Sequence, residues 1–239
     1  MGSASRAYRT AYTLNARVTA EWHNGLVVIN LGENENTFNE GSFQRFHAVL
    51  DEVDKVKTDI ALVTVSSGKH WSNGYDLPWV SDPTSRAVAA KAGHALLARL
   101  LSLGRPTVAA IRGHAFGFGA MLALAHDIRV MREDRGYLCL PEVDLGLVFT
   151  PGMTTFLSTH LTPAVAHRAM ALGQRFPADE AMSAGMVEQI APDGAVLDTA
   201  IDAARKFSGR DPATMAAIKR GLHASTLRLL EADTPTTDA

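Results

Sequence analysis

Gly113-His-Ala-Phe-Gly-Phe-Gly-Ala-Met121 is the stretch that decides how this chain is read. An apolar run, Thr107-Val-Ala-Ala-Ile111, precedes it and reads as a buried strand. Ala120-Met-Leu-Ala-Leu-Ala125 follows and reads as the start of a buried helix. A strand that ends in glycines and opens a helix presents free backbone N–H groups at the helix start. Such donors favour negative charge. The charge is either a phosphate or an oxyanion that forms only during a reaction.

Two further stretches share this grammar. Ile60-Ala-Leu-Val-Thr-Val65 reads as a strand and leads into His70-Trp-Ser-Asn-Gly-Tyr-Asp-Leu77. Tyr137-Leu-Cys-Leu140 leads into Pro141-Glu-Val-Asp-Leu-Gly146. Toward the N-terminus, Arg17-Val-Thr-Ala-Glu-Trp22 alternates like a half-buried strand. His23-Asn-Gly25 marks a turn, and Leu26-Val-Val-Ile-Asn-Leu31 returns. Phe43, Phe46, Val49, Leu50 and Val53 recur at helical spacing. Val88 to Leu103 is a longer apolar-periodic helix, ended by Gly104 and Pro106. Asp127-Ile-Arg-Val-Met131 reads as a short strand. From Pro151 the chain is mostly helical, with Thr162-Pro163 and Asp211-Pro212 as caps plus first-turn prolines. Gly185 reads as a helix C-cap, and Met186-Val-Glu-Gln-Ile190 as a last strand.

Composition narrows the function classes. The 239 residues are 46% hydrophobic and 20% charged, with a net charge of −2. That is ordinary globular composition, large enough to bury a core without disulfides. It is not basic enough for general nucleic-acid binding. Cys139 is the only cysteine, which excludes an intrachain disulfide and suits a reducing cytoplasm. No run of ~18 apolar residues predicts a membrane helix. The nine histidines are scattered, with no H-E-x-x-H pattern or His/Cys cluster, so no metal site is expected.

Strands come first and helices last, which predicts an α/β fold with a helical C-terminal region. Periodicity alone leaves two architectures open: a doubly wound sheet, or a superhelix of ββα turns.

In order and spacing, Trp71-Ser-Asn-Gly-Tyr-Asp76, Gly113-His-Ala-Phe-Gly-Phe-Gly119 and Pro141-Glu-Val-Asp-Leu-Gly146 resemble the motifs of the enoyl-CoA hydratase/isomerase family, the crotonase superfamily. The resemblance runs from about Arg17 to about Leu222. It implies a crotonase-like ββα superhelix. Residues 11–190 would form the spiral core with the acyl-CoA site, and 191–230 C-terminal helices for oligomerisation. Residues 1–10 would be a flexible N-terminus or an expression scar, and 231–239 a flexible tail. It also implies a homotrimer or a dimer of trimers, with acyl-CoA as the partner and no cofactor beyond the coenzyme A thioester substrate.

The resemblance further assigns roles. Two backbone N–H groups, of Tyr75 after Gly74 and of Phe118 between Gly117 and Gly119, would hold the thioester oxygen as it becomes an enolate. Tyr75 and Phe118 are bulkier than the small residues common there in hydratases, which implies a reshaped acyl pocket. Ser72, Asn36 and Met121 are placed at the substrate. Glu142 is the candidate base, desolvated by Leu138, Leu140, Val143 and Leu145, which raises a carboxyl pKa. Asp144 is expected to be structural.

Met121 is the informative departure. Hydratases of the family carry a second glutamate at this position. Adding water across a double bond uses two carboxylates, and a thioether cannot replace one. Moving a double bond needs one base. The resemblance therefore implies a Δ3-Δ2-enoyl-CoA isomerase. Leu140-Pro-Glu-Val-Asp-Leu-Gly-Leu147, with Asp134-Arg-Gly136 before it, is most similar to the plant peroxisomal type. The loop Glu33-Asn-Glu-Asn-Thr-Phe-Asn39 is expected near the coenzyme A phosphates, with Lys69 or Lys219 as candidate positive charge.

Three alternatives stay open. One is a hydratase or another reaction of the family. The second is a non-catalytic CoA-binding homologue. The third is a Ser/Lys hydrolase built on Ser66-Ser-Gly-Lys69, although no G-x-S-x-G, S-D-N or K-T-G accompanies it.

Overall fold

The structure, a computed structural model, describes residues 18–232. β1 (Thr19–His23) and β2 (Leu26–Asn30) form an antiparallel hairpin. α1 (Glu40–Lys55) follows, capped by the Asn39 side chain, which accepts from the Ser42 N–H. Its Phe43, Phe46, Leu50 and Val53 are buried, as their spacing predicts.

Next, a long strand is followed by a short strand and then a helix, and this unit repeats. β3 (Ala61–Val65), β4 (His70–Ser72) and α2 (Pro83–Ser102) make the first such unit. β5 (Thr107–Ile111), β6 (His114–Phe116) and α3 (Phe118–Leu124) make the second. β7 (Ile128–Arg132) and β8 (Leu138–Cys139) begin a third. It continues into a 3-10 turn, Pro141–Val143. The long strands join one sheet in the order β1-β2-β3-β5-β7-β9, where β9 is Gln189–Ala191. The short strands form a second, parallel sheet, β4-β6-β8. A doubly wound fold sends each strand straight into its helix. Here each strand first leaves the main sheet to build another, so the architecture is the ββα superhelix.

Both faces of the main sheet are covered, which explains its uninterrupted apolar strands. One face packs on α1, α2, α3 and the small sheet. The other packs Val28, Val63, Val108 and Val130 against α7 (Val196–Lys206) through Val196, Ala200 and Ala203. The C-terminal helices are thus part of the fold, and a boundary at 190 falls inside β9. α9 (Ala224–Ala232) packs on α2 and on α4 (Pro151–His160), and α8 (Pro212–Leu222) packs on α2.

Other boundaries move for local reasons. α2 starts at Pro83, five residues before the predicted Val88, because Asp82 caps the N–H groups of Thr84 and Ser85. That first turn is polar and exposed, so it carries no apolar period. Thr162 caps α5 (Pro163–Ala166) and Asp211 caps α8, as predicted. The last strand is Gln189–Ala191, since Met186 and Val187 pack into the core after Gly185 closes α6 (Ala178–Ser183). A π-helical turn at His167–Ala171 has no sequence signature. The expectations for residues 1–10 and 233–239 lie outside the described residues, while Glu231 and Ala232 finish α9.

Candidate active site

The site forms where the small sheet meets α3. β4 ends at Ser72, and Gly74 turns the chain at φ +82. Tyr75 then bridges Phe38: the Phe38 N–H donates to Gly74 O at 2.8 Å and the Asp76 N–H to Phe38 O at 2.9 Å. This pairing uses the groups on either side of Tyr75. The Tyr75 N–H itself has no hydrogen-bond partner among the described residues. β6 ends at Phe116, and Phe118 opens α3 after Gly117. A first helical residue has no intrahelical acceptor for its N–H, so the Phe118 donor is free too.

The two turns are in contact. A methyl carbon on Gly74 would stand 2.8 Å from Phe116 O and 3.1 Å from Phe118 N. One on Gly119 would stand 2.4 Å from Ser72 O, so α3 approaches β4 only because this residue has no side chain. Two free donors on adjoining turns can hold one oxygen.

Ser72 and Asn36, which the resemblance places at the substrate, brace this turn. The Ser72 hydroxyl donates to Asn36 O at 2.8 Å and accepts from the Gly74 N–H at 3.3 Å. The Asn36 amide donates to His70 O at 2.8 Å and also bonds Gly32 O and Trp71 O. Only its Oδ1 is left without a partner.

Glu142 sits in the 3-10 turn across from Gly117, with Oε2 buried and unpartnered. A methyl carbon on Gly117 would stand 3.3 Å from its Oε1. Burial pushes this carboxyl up to about 7, opposed by a backbone N–H. No second carboxylate among the described residues contributes to that shift. Leu138 and Leu140 are buried, but Val143 and Leu145 are 46% and 51% exposed and do not enclose the group as predicted. Asp144 is exposed. The 3-10 turn directs it toward Gly173, where a methyl carbon would stand 3.1 Å from its Oδ2. The Tyr75 hydroxyl is held protonated by burial and by the nearby Glu142 charge.

Met121 lies one turn beyond Phe118 and is buried in the core. Ser66 is wholly buried, with a hydroxyl that has no partner, while Lys69 is exposed. The Ser/Lys dyad therefore does not form. Lys219 is also not available to a ligand: it is buried, and its Nζ stands 2.8 Å from Asp127 Oδ1. Among the described residues no three His, Cys, Asp or Glu side chains converge as metal ligands, and no helix is long and apolar enough to cross a membrane.

Residues 21–236 match the family described as enoyl-CoA hydratase/isomerase. The chain belongs to the enoyl-CoA hydratase/isomerase family. It is similar to enoyl-CoA delta isomerase 3 of Arabidopsis thaliana, 32% identical over 89% of this chain and 94% of that one. It is also similar to a carnitinyl-CoA dehydratase of Salmonella enteritidis, 32% identical over 74% and 68%. Among solved structures, an enoyl-CoA hydratase from Mycobacterium marinum superposes with a TM-score of 0.84 at 27% identity, covering 92% of this chain and 96% of that one. The protein is thus an enzyme of the hydratase/isomerase family.

The structure adds supports around this candidate site that sequence reading missed. Gly93 on α2 faces Tyr75 and Phe118. An isolated glycine inside an apolar helical pattern was the available signal. His94 Nε2 stands 2.8 Å from Thr150 Oγ1, tying the loop after Glu142 to α2. The 3-10 turn of Glu142 packs on the π-helical turn His167–Ala171.

Proposed function

We propose that the protein is an enoyl-CoA isomerase that moves a double bond from C3 to C2 of an acyl-CoA. The observation that carries this is Glu142: one carboxylate, with Oε2 buried and unpartnered, held near neutral pKa beside Gly117, the residue that precedes the free Phe118 N–H. The thioester oxygen accepts from the N–H groups of Tyr75 and Phe118. Glu142 takes a proton from C2, and the electron pair enters a dienolate whose negative oxygen those donors stabilise. The protonated Glu142 then returns the proton to C4. The C3=C4 bond becomes C2=C3, and no water is consumed.

Met121 supports isomerisation over hydration, since a buried thioether can neither hold nor deprotonate water. The carnitinyl-CoA dehydratase relatives favour a second reading, addition or removal of water, which needs another acid–base group beside Glu142. Exposed Ile218 and Leu222 on α8 offer apolar surface for the trimer expected of the fold.

The test is to supply purified protein with a 3-enoyl-CoA and, separately, with a 2-enoyl-CoA. We expect rapid formation of the 2-enoyl product from the first and at most slow hydration of the second. Efficient hydration would favour the second reading.

A further inference from the structure

The backbones of Tyr75 and Phe118 carry the free N–H groups, and their side chains have separate work. The two rings stack with centroids 4.7 Å apart and planes 26° apart. Phe38 and Phe43 each meet the Phe118 ring edge-on at 5.3 Å. Phe43 also meets Tyr75 and Trp79, both at 6.2 Å. On the α2 side, Gly93 leaves a notch. A methyl carbon there would stand 2.1 Å from the Tyr75 hydroxyl and 2.9 Å from Phe118 Cε2. The hydroxyl is buried without a hydrogen-bond partner. The Tyr75 ring is therefore seated by shape, against a helix that lacks a side chain at the point of contact.

Beyond this stack, α1 and α2 leave a groove of about 540 Å³ whose apolar wall is Phe43, Trp79, Val88, Ala92 and Ala95, with the charged Glu40, Asp51 and Lys91 also lining it. Phe43 belongs to both features: it lines the groove and touches both stacked rings. The rings thus connect the groove, through Phe43, to the two turns that carry the N–H groups.

Resting on the reading that this site takes an acyl-CoA, we propose that the Tyr75–Phe118 stack is an acyl-length stop, which restricts the protein to short acyl groups of the hexanoyl class. A thioester oxygen held at the two N–H groups starts at the backbone from which both rings project. C2 must reach Glu142 beside Gly117, and C4 must stay within reach of the same carboxylate. Methylenes beyond that meet filled space. In an open apolar pocket each added methylene contributes about 0.8 kcal/mol, so six more would tighten binding by well over ~100-fold. Here they gain nothing.

Calorimetric binding of hexanoyl-CoA and dodecanoyl-CoA tests this without turnover. For the wild type we expect dodecanoyl-CoA to bind no more than about threefold tighter than hexanoyl-CoA. Tyr75→Ala removes a ring and keeps its N–H, and should shift the ratio at least about tenfold toward dodecanoyl-CoA. Phe43→Ala, outside the two turns, should shift it in the same direction. A wild type that binds dodecanoyl-CoA more than about tenfold tighter overturns the length stop. So do folded variants with an unchanged ratio. Should neither variant fold, the wild-type ratio decides alone. A protein that shows the short preference but does not isomerise 3-hexenoyl-CoA overturns the reaction reading and leaves the stop standing. One that binds no acyl-CoA overturns both.

Discussion

Glu142 rests on Gly117: a methyl carbon on Gly117 would stand 3.3 Å from Glu142 Oε1. Gly117 is also the hinge that presents the Phe118 N–H, at φ 53 and ψ −124, a conformation that L side chains rarely adopt. The candidate base and one candidate oxyanion donor therefore depend on the same residue lacking a side chain.

Gly117→Ala should strain this turn by about 1–3 kcal/mol and tilt the Phe118 donor. Losing one such donor costs about 10²–10³-fold in kcat. We expect a folded, less stable protein with isomerase kcat down by about 10²-fold. Wild-type kcat in the variant would remove Phe118 from the site.

The pH profile should follow Glu142. Its carboxyl stands at about 7 in the folded protein and must be ionised to take a proton. Isomerase kcat/KM should rise with pH, reach half its maximum near 7 and then level. A profile flat from about pH 5 to 8 would show that another group is the base.

The same carboxyl costs stability. Its folded pKa, about 7, lies above the ordinary 4.5, so the folded chain holds the proton more tightly than the unfolded chain. Folding takes up a proton between these values, and stability falls as pH rises through that window. Glu142→Gln removes the cost. The variant should be about 1–3 kcal/mol more stable than wild type near pH 8, with the gap closing toward pH 4.5. Denaturant unfolding at the two pH values measures this. A variant less stable at the higher pH would mean that the carboxylate is satisfied there.

Met121→Glu puts a carboxylate into the core beside the site. Burying it costs several kcal/mol unless it takes up a proton, so the variant should melt earlier than wild type. It should also hydrate 2-enoyl-CoA slowly but measurably, because a second carboxylate can hold water. A folded variant with no hydration would mean that Met121 does not face the substrate.

The parts that residue chemistry encodes locally were legible in the sequence. Phe43, Phe46, Leu50 and Val53 mark α1 by period, and Thr162 and Asp211 mark helix starts by capping. The two glycine turns and the Glu142 turn were readable as motifs, and the structure brings all three together. Of the small sheet, Leu138–Cys139 was legible within the run Tyr137-Leu-Cys-Leu140, while His70–Ser72 and His114–Phe116 were not, because strands of three residues have no room for a period. The start of α2 was hidden by its polar first turn. Lys219 read as a solvated or ligand-binding lysine because nothing local reveals Asp127, 92 residues away, as its partner. The bracing role of Asn36 and Ser72 was hidden for the same reason: their partners are main-chain groups that only the fold brings near.

In the proposed reaction one carboxylate, Glu142, carries the proton from C2 to C4. Glu142→Gln keeps the shape of the side chain and removes its basicity, so isomerisation of a 3-enoyl-CoA by this variant, with acyl-CoA affinity measured alongside, is the most direct test. We expect affinity within a few-fold of wild type and kcat lower by about 10³-fold, inside the usual range for a general base. A folded variant that binds acyl-CoA and keeps kcat within about tenfold of wild type would contradict it.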